Sequence, residues 1–336
     1  MVEINRYWRL DSYPEGQDFA SAMNLYDAPM PDIADREVLV KNLWFSLDAG
    51  TRMWFTSRTD SYMPPLPLGS PVMGFVLGRI VQSRHPDFAE GAIVRAYGQW
   101  ADYSRLAPDI GNFWQVPDIS DMRQHFAVLG PNGWTAYVGL NEYAKVRPGE
   151  TVLVSAAAGA TGLLAAQFAL ATGCRVIGIA GGAEKCRRLR EEFGLTAAID
   201  YKNDDVSARL AEIAPDGVDA YFDCVGGPLL DAILPCMAMN GRIAICGLIS
   251  TYDQIERKGP VNFDLILMKR LTVAGFFSPD FYFRGEEINR LTQPWLDNGT
   301  VSMAFDVTEG LENTLIAYAK MFTGGNFGKT MVRLAE

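Results

Sequence analysis

The sequence has few of the residues that most often bind transition metals. Among 336 residues there are only two histidines and five cysteines, and no Cys-x-x-Cys pair occurs. Neither His85 nor His125 lies in a cluster with the spacing of a zinc site. The odd number of cysteines argues against a disulfide framework and favours a reducing, cytoplasmic compartment. We therefore expect no bound metal, and cysteines that pack as small apolar residues.

The sequence has no basic run, and we expect no export signal. Lys and Arg total 30 against 40 Asp and Glu, which gives a formal net charge of -10. Nucleic-acid binding depends on clustered cations that neutralise phosphates, so we expect no nucleic-acid partner. The first residues, "MVEINRYWRLDSYPEG", carry charges where an export signal needs an apolar segment.

One stretch, residues 153–174, has no charged side chain and raises the question of a membrane span. A spanning helix needs about 20 apolar residues that are helical throughout. Here "TVLVSA" has the β-branched residues of a strand, and two glycines interrupt the stretch before "LLAAQFALATG" begins a helical pattern. Strand, turn and helix explain the segment better, so we expect no membrane association.

The spacing of apolar runs, prolines and glycines along the chain predicts an α/β protein of two domains. Residues 1–125 are β-rich and punctuated by Pro and Gly, as in "YMPPLPLGSP". In residues 126–300, short apolar runs alternate with helical segments, which is typical of a doubly wound parallel sheet. Residues 301–336 read as a strand, a helix, a Gly-rich loop and a closing strand that returns to the first domain.

The turn after "TVLVSA" carries Ala157, Gly159 and Gly162 in the spacing of the Gly-x-Gly-x-x-Gly dinucleotide fingerprint, with Ala in place of the first Gly. Small residues let the backbone approach a pyrophosphate, whose charge is met by amides at the helix start. Tight strand-to-helix packing alone selects small residues too. Within a strand, helix and strand unit of this length, the pattern favours cofactor binding.

The end of the next strand indicates which dinucleotide is bound. An NAD site normally has Asp or Glu about 20 residues after the fingerprint. This chain has "IAGGAEKC", with Gly181 and Gly182 at the tip and Lys185 in the first helical turn. An ammonium attracts a 2′-phosphate, so the sequence favours NADP. Alternatively, Lys185 is a solvated helix residue.

Several segments resemble one known family. "VSAAAGATG", "VIGIAGGAEKC", "AAIDYK", "YFDCVGG", "ICGLISTY" and "GGNFGK" occur in the order and spacing of the zinc-independent medium-chain dehydrogenase/reductases. The similarity is to the branch of leukotriene B4 dehydrogenase and prostaglandin reductase, alkenal double-bond reductases and curcumin reductase. It implies a GroES-like catalytic domain, a Rossmann domain, a homodimer, and NADPH-dependent reduction of the double bond of enones and enals.

The resemblance also assigns roles to residues. It implies that Lys185, Tyr201 and the Gly182 amide hold the 2′-phosphate, and that Gly159 lies near the pyrophosphate. The nicotinamide half is then lined by Thr135, Cys246, Ser250, Phe276 and Asn326. Tyr252 matches the tyrosine beside the nicotinamide ribose and the substrate carbonyl, and Tyr62 matches a substrate-pocket residue.

The chain departs from the family pattern near the substrate. "DAGTR" stands in place of "DPYMR", keeping Asp48 and Arg52 but losing a tyrosine. Pro131, Trp134 and Cys224 replace the usual Met, Leu and Asn. We assign Arg52, Trp54 and Trp134 to the substrate side, where the tryptophans either reshape the cavity or pack in the core.

The resulting hypothesis is hydride transfer to the β-carbon of an α,β-unsaturated carbonyl, with Tyr252 as the hydrogen-bond donor to the carbonyl oxygen. A phenol is suitable because it stays protonated at neutral pH. Tyr252 packing against the cofactor is the simpler alternative. A quinone or carbonyl reductase on the same scaffold and a non-catalytic NADP-binding protein are the other functions left open.

Overall fold

The computed structural model describes residues 4–61, 63–117, 121–252 and 259–334. The chain forms two compact units. Unit 1 comprises Met1–Phe126 and Phe305–Glu336, and unit 2 comprises Ala127–Ala304. The sequence pattern puts the corresponding changes at about residues 125 and 300.

The elements are named in chain order. The strands are β1 (Ile4–Leu10), β2 (Met23–Pro29), β3 (Val38–Ser46), β4 (Met73–Ser83), β5 (Ile93–Gln99), β6 (Tyr103–Leu106), β7 (Phe113–Gln115), β8 (Thr151–Val154), β9 (Arg175–Ala180), β10 (Ala197–Asp200), β11 (Val218–Asp223), β12 (Met237–Ile245), β13 (Thr272–Gly275), β14 (Phe305–Glu309) and β15 (Lys329–Arg333). The helices are α1 (Met122–Val128), α2 (Pro131–Val138), α3 (Ala160–Ala171), α4 (Ala183–Glu191), α5 (Val206–Ile213), α6 (Gly227–Ile233), α7 (Asp264–Met268), α8 (Gly285–Asp297) and α9 (Thr314–Phe322).

Unit 1 is built on a largely antiparallel sheet of order β14-β15-β3-β4-β5-β7, with β6 paired to β3 and a separate β1-β2 pair. The C-terminal segment contributes to this sheet, because β15 pairs with β3. The core beneath the sheet is aromatic. Trp100 lies against Phe45, Phe55 and Tyr318, with ring centroids 5.2 to 6.3 Å apart. Aromatic side chains bury much apolar area for each residue, so a few of them anchor the helix α9 to the sheet.

Unit 2 is a six-stranded parallel sheet of order β10-β9-β8-β11-β12-β13. Its inner strands are continuous apolar runs because helices cover both faces. In chain order this is the doubly wound arrangement 3-2-1-4-5-6. The predicted fold class, a β-rich domain with a Rossmann domain, is confirmed.

The sequence did not indicate every element. The pair β1-β2 lies in the polar, loop-like start of the chain, and α2 contains "GWTAYV", where the sequence showed only a change of pattern. Tertiary contacts stabilise such short elements more than local propensity does. Among the helices of the described residues, none is long and apolar enough to cross a membrane.

Candidate active site

The carboxyl edge of the parallel sheet in unit 2 gathers most of the predicted site residues. Parallel strands end at the same edge, and ligands of doubly wound folds bind there. The fingerprint follows β8, the pair Gly181 and Gly182 follows β9, and Tyr201 follows β10. The residues that follow β12 and β13 at this edge are Cys246, Ser250, Tyr252 and Phe276.

The turn after β8 is compact. Ala156 takes a left-handed conformation with φ of 47°, and its carbonyl accepts the Gly159 N–H at 2.8 Å. Ala157 is fully buried, and its methyl group lies 2.9 Å from where a Cβ on Gly178 of β9 would be. An alanine therefore fits at the first fingerprint position because the neighbouring strand offers a glycine opposite it.

Gly162 is required by packing. A Cβ at this position would lie 2.4 Å from the carbonyl oxygen of Ala156, against 3.2 Å for a Cβ on Gly159. The helix α3 begins at Ala160, so this contact brings its first turn and its unpaired amides directly onto the turn backbone. The two glycines therefore differ in role, and only Gly162 has no room for a side chain.

We expect Gly162→Ala to lower the free energy of unfolding by about 1–2 kcal/mol, because overpacking against backbone outweighs the helix propensity gained. The melting temperature should fall by several degrees. Gly159→Ala is the matched control, since its added methyl group meets the same oxygen at 3.2 Å. Thermal melts of both variants decide the point, and a Gly162→Ala melting temperature at or above the wild-type value contradicts it.

The loop after β9 is held by Asp200 at the end of β10. The Gly182 N–H donates to Asp200 Oδ1 at 2.6 Å, with Gly182 at φ of 103°. The same carboxylate accepts the Lys202 N–H at 3.1 Å and Asn203 Nδ2 at 2.7 Å. Burial alone raises the pKa of Asp200, but these hydrogen bonds outweigh it and hold the pKa below its ordinary value.

Two consequences follow for cofactor recognition. The Gly182 amide is already bonded to Asp200, so the phosphate contact predicted for it competes with a short hydrogen bond. The Asp200 carboxylate is 7% exposed and has three donors, so it is poorly placed to accept from a ribose hydroxyl. The sequence did not single out Asp200, although it ends the predicted strand "AAID".

Gly181 makes room for two side chains over the loop. A Cβ there would lie 2.9 Å from the Tyr201 hydroxyl and 3.0 Å from Lys202 Cε. Tyr201 is half exposed, so its hydroxyl can reach a ligand. Lys202 is a cation that sequence reasoning missed, and its signal was the "DYK" that follows the strand.

Lys185 is the third residue of α4, half-buried at the helix N-terminus. Its acidic neighbour Glu184 is bound by Arg187 through two hydrogen bonds of 2.6 and 2.9 Å. That contact with Arg187 lowers the pKa of Glu184. The negative charge beside Lys185 is therefore matched by a guanidinium one turn further along the helix.

The ends of β8 and β11 are joined through the fully buried Asp223. Its Oδ1 accepts from the Tyr221 hydroxyl at 2.7 Å, from Ser155 Oγ at 3.1 Å, and from the amides of Val225 and Gly226 at 2.9 Å each. Its Oδ2 is buried and has no hydrogen-bond partner among the described residues. Burial raises the pKa of Asp223 despite these donors. Sequence reasoning missed Asp223, whose hydrogen bonds to the Val225 and Gly226 amides fix the loop that begins at Cys224.

Tyr252 lies at the end of the loop after β12. Its hydroxyl oxygen accepts the Leu248 N–H at 3.2 Å. Ser250 ties this loop to the one after β11, because its hydroxyl donates to the Val225 carbonyl at 2.7 Å. A phenol hydroxyl can both accept and donate a hydrogen bond, so this contact is compatible with the donor role predicted for Tyr252.

Thr135 and Trp134 lie in α2. The Thr135 hydroxyl donates to the Pro131 carbonyl at 2.6 Å. Trp134 is 1% exposed, its indole N–H donates to Asn289 Oδ1 at 2.7 Å, and its ring packs on Tyr282 at 5.4 Å. Trp134 therefore packs in the core of unit 2, which is one of the two alternatives left open by the sequence, and its predicted place in the substrate cavity stays a prediction.

Arg52 of unit 1 is also a packing residue. It is 5% exposed, and its guanidinium donates to the carbonyls of Phe55 at 2.8 Å and of Pro14 and Gly16 at 3.2 Å each. These bonds join two loops of the unit. These contacts give Arg52 a structural role, and its predicted part in substrate binding stays a prediction.

An ion pair in unit 1 joins two of the sequence motifs, "DAGTR" and "GGNFGK". The buried Lys329 ammonium lies 2.6 Å from Asp48 Oδ1, and Ser46 Oγ also donates to this carboxylate. Removing one partner of a buried ion pair leaves an uncompensated charge, so both residues are structural. The buried ion pair between these two segments therefore helps to hold unit 1 together.

For the other predicted residues the structure shows a location, and their roles stay predictions. Trp54 is half-buried against Tyr97, with ring centroids 6.0 Å apart, and its indole N–H is buried with no partner among the described residues. Asn326 lies in the loop between α9 and β15. The Phe276 ring stacks on Tyr143 at 4.9 Å. Tyr62 lies outside the described residues.

No group of three His, Cys, Asp or Glu side chains suited to a metal ion occurs in the part of the chain that the structure describes.

Comparison with known proteins identifies related sequences over the whole chain. Residues 6–112 match the family model described as the N-terminal domain of oxidoreductase, and residues 160–293 match that described as zinc-binding dehydrogenase. The NADPH-dependent curcumin reductase of Escherichia coli is 35% identical over 98% of this chain and 97% of its own length. The NADP-dependent 2-alkenal reductase of Nicotiana tabacum is 36% identical over 96% of this chain and 94% of its own.

Solved structures agree with these relatives. The crystal structure of CurA from Vibrio vulnificus superposes with a TM-score of 0.92 at 33% identity, covering 99% of both chains. Its complex with NADPH matches with the same TM-score at 32% identity, covering 98% of this chain and 99% of that one. With the fold, the fingerprint turn and the motifs at the carboxyl edge, these matches establish that the chain belongs to the zinc-independent medium-chain dehydrogenase/reductases, in the branch of the prostaglandin, alkenal and curcumin reductases.

Proposed function

We propose that the chain is an NADPH-dependent reductase of α,β-unsaturated ketones and aldehydes. The observation that carries the proposal is the carboxyl edge of unit 2, where a glycine turn follows β8, a phosphate-suited loop follows β9 and a phenol follows β12. The related enzymes named for NADPH and for alkenals or curcumin support it.

The residues present fit the dinucleotide. Gly162 brings the first turn of α3 against the turn after β8, where its amides suit a pyrophosphate. At the β9 end, Lys185, Tyr201 and Lys202 supply two ammonium groups and a hydroxyl for a 2′-phosphate. Asp200 orients this loop through the Gly182 and Lys202 amides. Its buried carboxylate is unsuited to a free 2′-hydroxyl, which favours NADP over NAD.

NADPH, when bound, supplies a hydride at its nicotinamide ring. The task of the protein is then to stabilise the negative charge that develops on the substrate carbonyl oxygen as its β-carbon is reduced. We assign this to Tyr252, a phenol that follows β12 at the carboxyl edge and can donate a hydrogen bond. Asp223 and Ser250 fix the loops that surround it.

The test is NADPH oxidation followed by absorbance with a panel of enals, enones, quinones and matching saturated ketones. We expect turnover of the enals and enones, with the saturated ketone as product, and none of the saturated ketones. Turnover of quinones alone would indicate a quinone reductase, and turnover of saturated ketones a carbonyl reductase. NADPH binding without oxidation by any compound would indicate a non-catalytic binding protein.

We further propose a cytoplasmic homodimer formed through β13. This strand ends the sheet of unit 2, and its outer edge carries the exposed Val273. Apolar residues next to it in the chain are strongly exposed: Val261, Phe263, Leu267 and Met268 are 87%, 65%, 75% and 60% exposed. An open edge strand flanked by exposed apolar side chains is a surface that a second copy can cover.

We expect Leu267→Lys to shift the protein from dimer towards monomer, because an ammonium would be desolvated in the interface. Ile316→Lys is the matched control, since Ile316 is 73% exposed but lies on α9 of unit 1. Light scattering after gel filtration should give twice the chain mass of 37.0 kDa for the wild type and the control. A wild-type monomer, or a Leu267→Lys dimer of unchanged stability, contradicts the proposed interface.

A further inference from the structure

Two cysteines occupy neighbouring strand ends at the carboxyl edge of unit 2. Cys224 directly follows β11 and Cys246 directly follows β12, whose last residues, Asp223 and Ile245, are paired in parallel register. The Cys246 N–H donates to the Asp223 carbonyl at 2.8 Å, and the Cys224 N–H donates to Ser155 Oγ at 2.9 Å. The backbone therefore holds both residues side by side.

The geometry suits a disulfide. Adjacent strands lie about 4.7–4.9 Å apart, within the range of Cα separations that a disulfide spans. The neighbouring Cys246 thiol, together with burial, raises the pKa of Cys224 well above its ordinary value. Joining the sulfurs would therefore need side-chain rotation and little backbone movement.

The other three cysteines have different surroundings. The thiols of Cys174, Cys186 and Cys236 each donate to backbone carbonyls. Burial raises the pKa of Cys174 to about 11. These three thiols serve as internal controls for the pair.

We propose that Cys224 and Cys246 form a redox modification site that hydroperoxides convert to an intramolecular disulfide. One sulfur attacks the outer peroxide oxygen, the O–O bond breaks, and a sulfenic acid forms as an alcohol or water leaves. The second sulfur then attacks the sulfenic sulfur and forms the S–S bond, releasing water. The peroxide is reduced by two electrons, and the two thiol protons leave with its oxygens.

The disulfide would also affect the cofactor site. Cys246 begins the loop that carries Ser250 and Tyr252, and the loop that begins at Cys224 is bonded to it through Ser250. A covalent bond between the two loops would fix their spacing and remove the Cys246 thiol from the site. This consequence, weaker NADPH binding, rests on the proposed function, whereas formation of the disulfide does not.

The test uses the full-length wild-type protein, reduced and then treated with hydrogen peroxide in the absence of other thiols. We expect the titratable thiols of the denatured chain to fall from five to three. The intact mass should fall by two hydrogen atoms, and non-reducing peptide mapping should link the peptides containing Cys224 and Cys246. Dithiothreitol should reverse all three changes.

Substitutions then separate the pair from the other thiols. Cys224→Ser and Cys246→Ser should each abolish the linked peptide, and Cys174→Ser should retain it. Oxygen added to the mass without a linked peptide, a link through another cysteine, or no thiol loss would each overturn the proposal. If the disulfide forms but NADPH neither protects the thiols nor binds less tightly afterwards, the modification site stands and its effect on the cofactor site is rejected.

Discussion

Tyr252→Phe is expected to lower kcat/KM for an enone by at least about tenfold. A single hydrogen-bond donor to a developing oxyanion contributes roughly 2.7–4 kcal/mol to the barrier, and phenylalanine removes the donor while keeping the ring. The affinity for NADPH should change little, because the ring can still pack beside the cofactor. Steady-state kinetics with an enone, together with NADPH titration by fluorescence, measure both quantities.

The control for this prediction is Tyr137→Phe, which removes a phenol hydroxyl from α2 of the same unit. It should leave kcat/KM close to the wild-type value. Equal turnover by Tyr252→Phe and the wild type would remove Tyr252 from the reaction. A large loss of NADPH affinity at unchanged kcat would instead mean that Tyr252 packs against the cofactor and does not donate to the substrate.

Lys185→Ala is expected to raise KM for NADPH by roughly 10- to 100-fold, since a hydrogen bond to a charged group contributes about 1.5–3 kcal/mol. KM for NADH should change little, because NADH carries no 2′-phosphate. The ratio of the two KM values is the diagnostic quantity, and kcat with the enone should be retained.

Arg190→Ala is the matched control, because it removes a cation from an exposed position further along α4. It should raise neither KM. Parallel increases for NADPH and NADH in Lys185→Ala would show that Lys185 supports the loop without meeting the phosphate. The phosphate site would then depend on Lys202, which lies over Gly181.

The sequence predicted the parts of the fold that depend on periodicity. The alternation of apolar runs with helical segments gave the six strands of the unit 2 sheet, and the glycine spacing located the turn after β8. Both signals are local, because a strand or a tight turn is encoded within a few residues. The C-terminal strand that pairs with β3 was predicted for the same reason.

Side-chain destinations were harder to predict, since they depend on residues distant in the chain. Trp134 and Arg52 both lie near motif residues in the sequence, yet each packs in the core of its own unit. Their hydrogen-bond partners are distant in the chain, because Asn289 is 155 positions from Trp134 and Pro14 is 38 positions from Arg52. Asp200 and Asp223 looked like ordinary strand ends. Only the arrangement of the strands brings the Gly182 amide to Asp200 and the Ser155 hydroxyl to Asp223.

The asymmetry of the Asp223 carboxyl group distinguishes it from its isosteric amide. All four donors reach one oxygen, so asparagine could keep every one of these bonds with its single carbonyl. The amide nitrogen would then occupy the place of Oδ2, which is buried without a hydrogen-bond partner among the described residues. Its two N–H donors would be left unsatisfied there, which costs free energy. Asparagine therefore has the same shape as aspartate but would bury more unsatisfied hydrogen-bond donors, so an acid is better suited to this position.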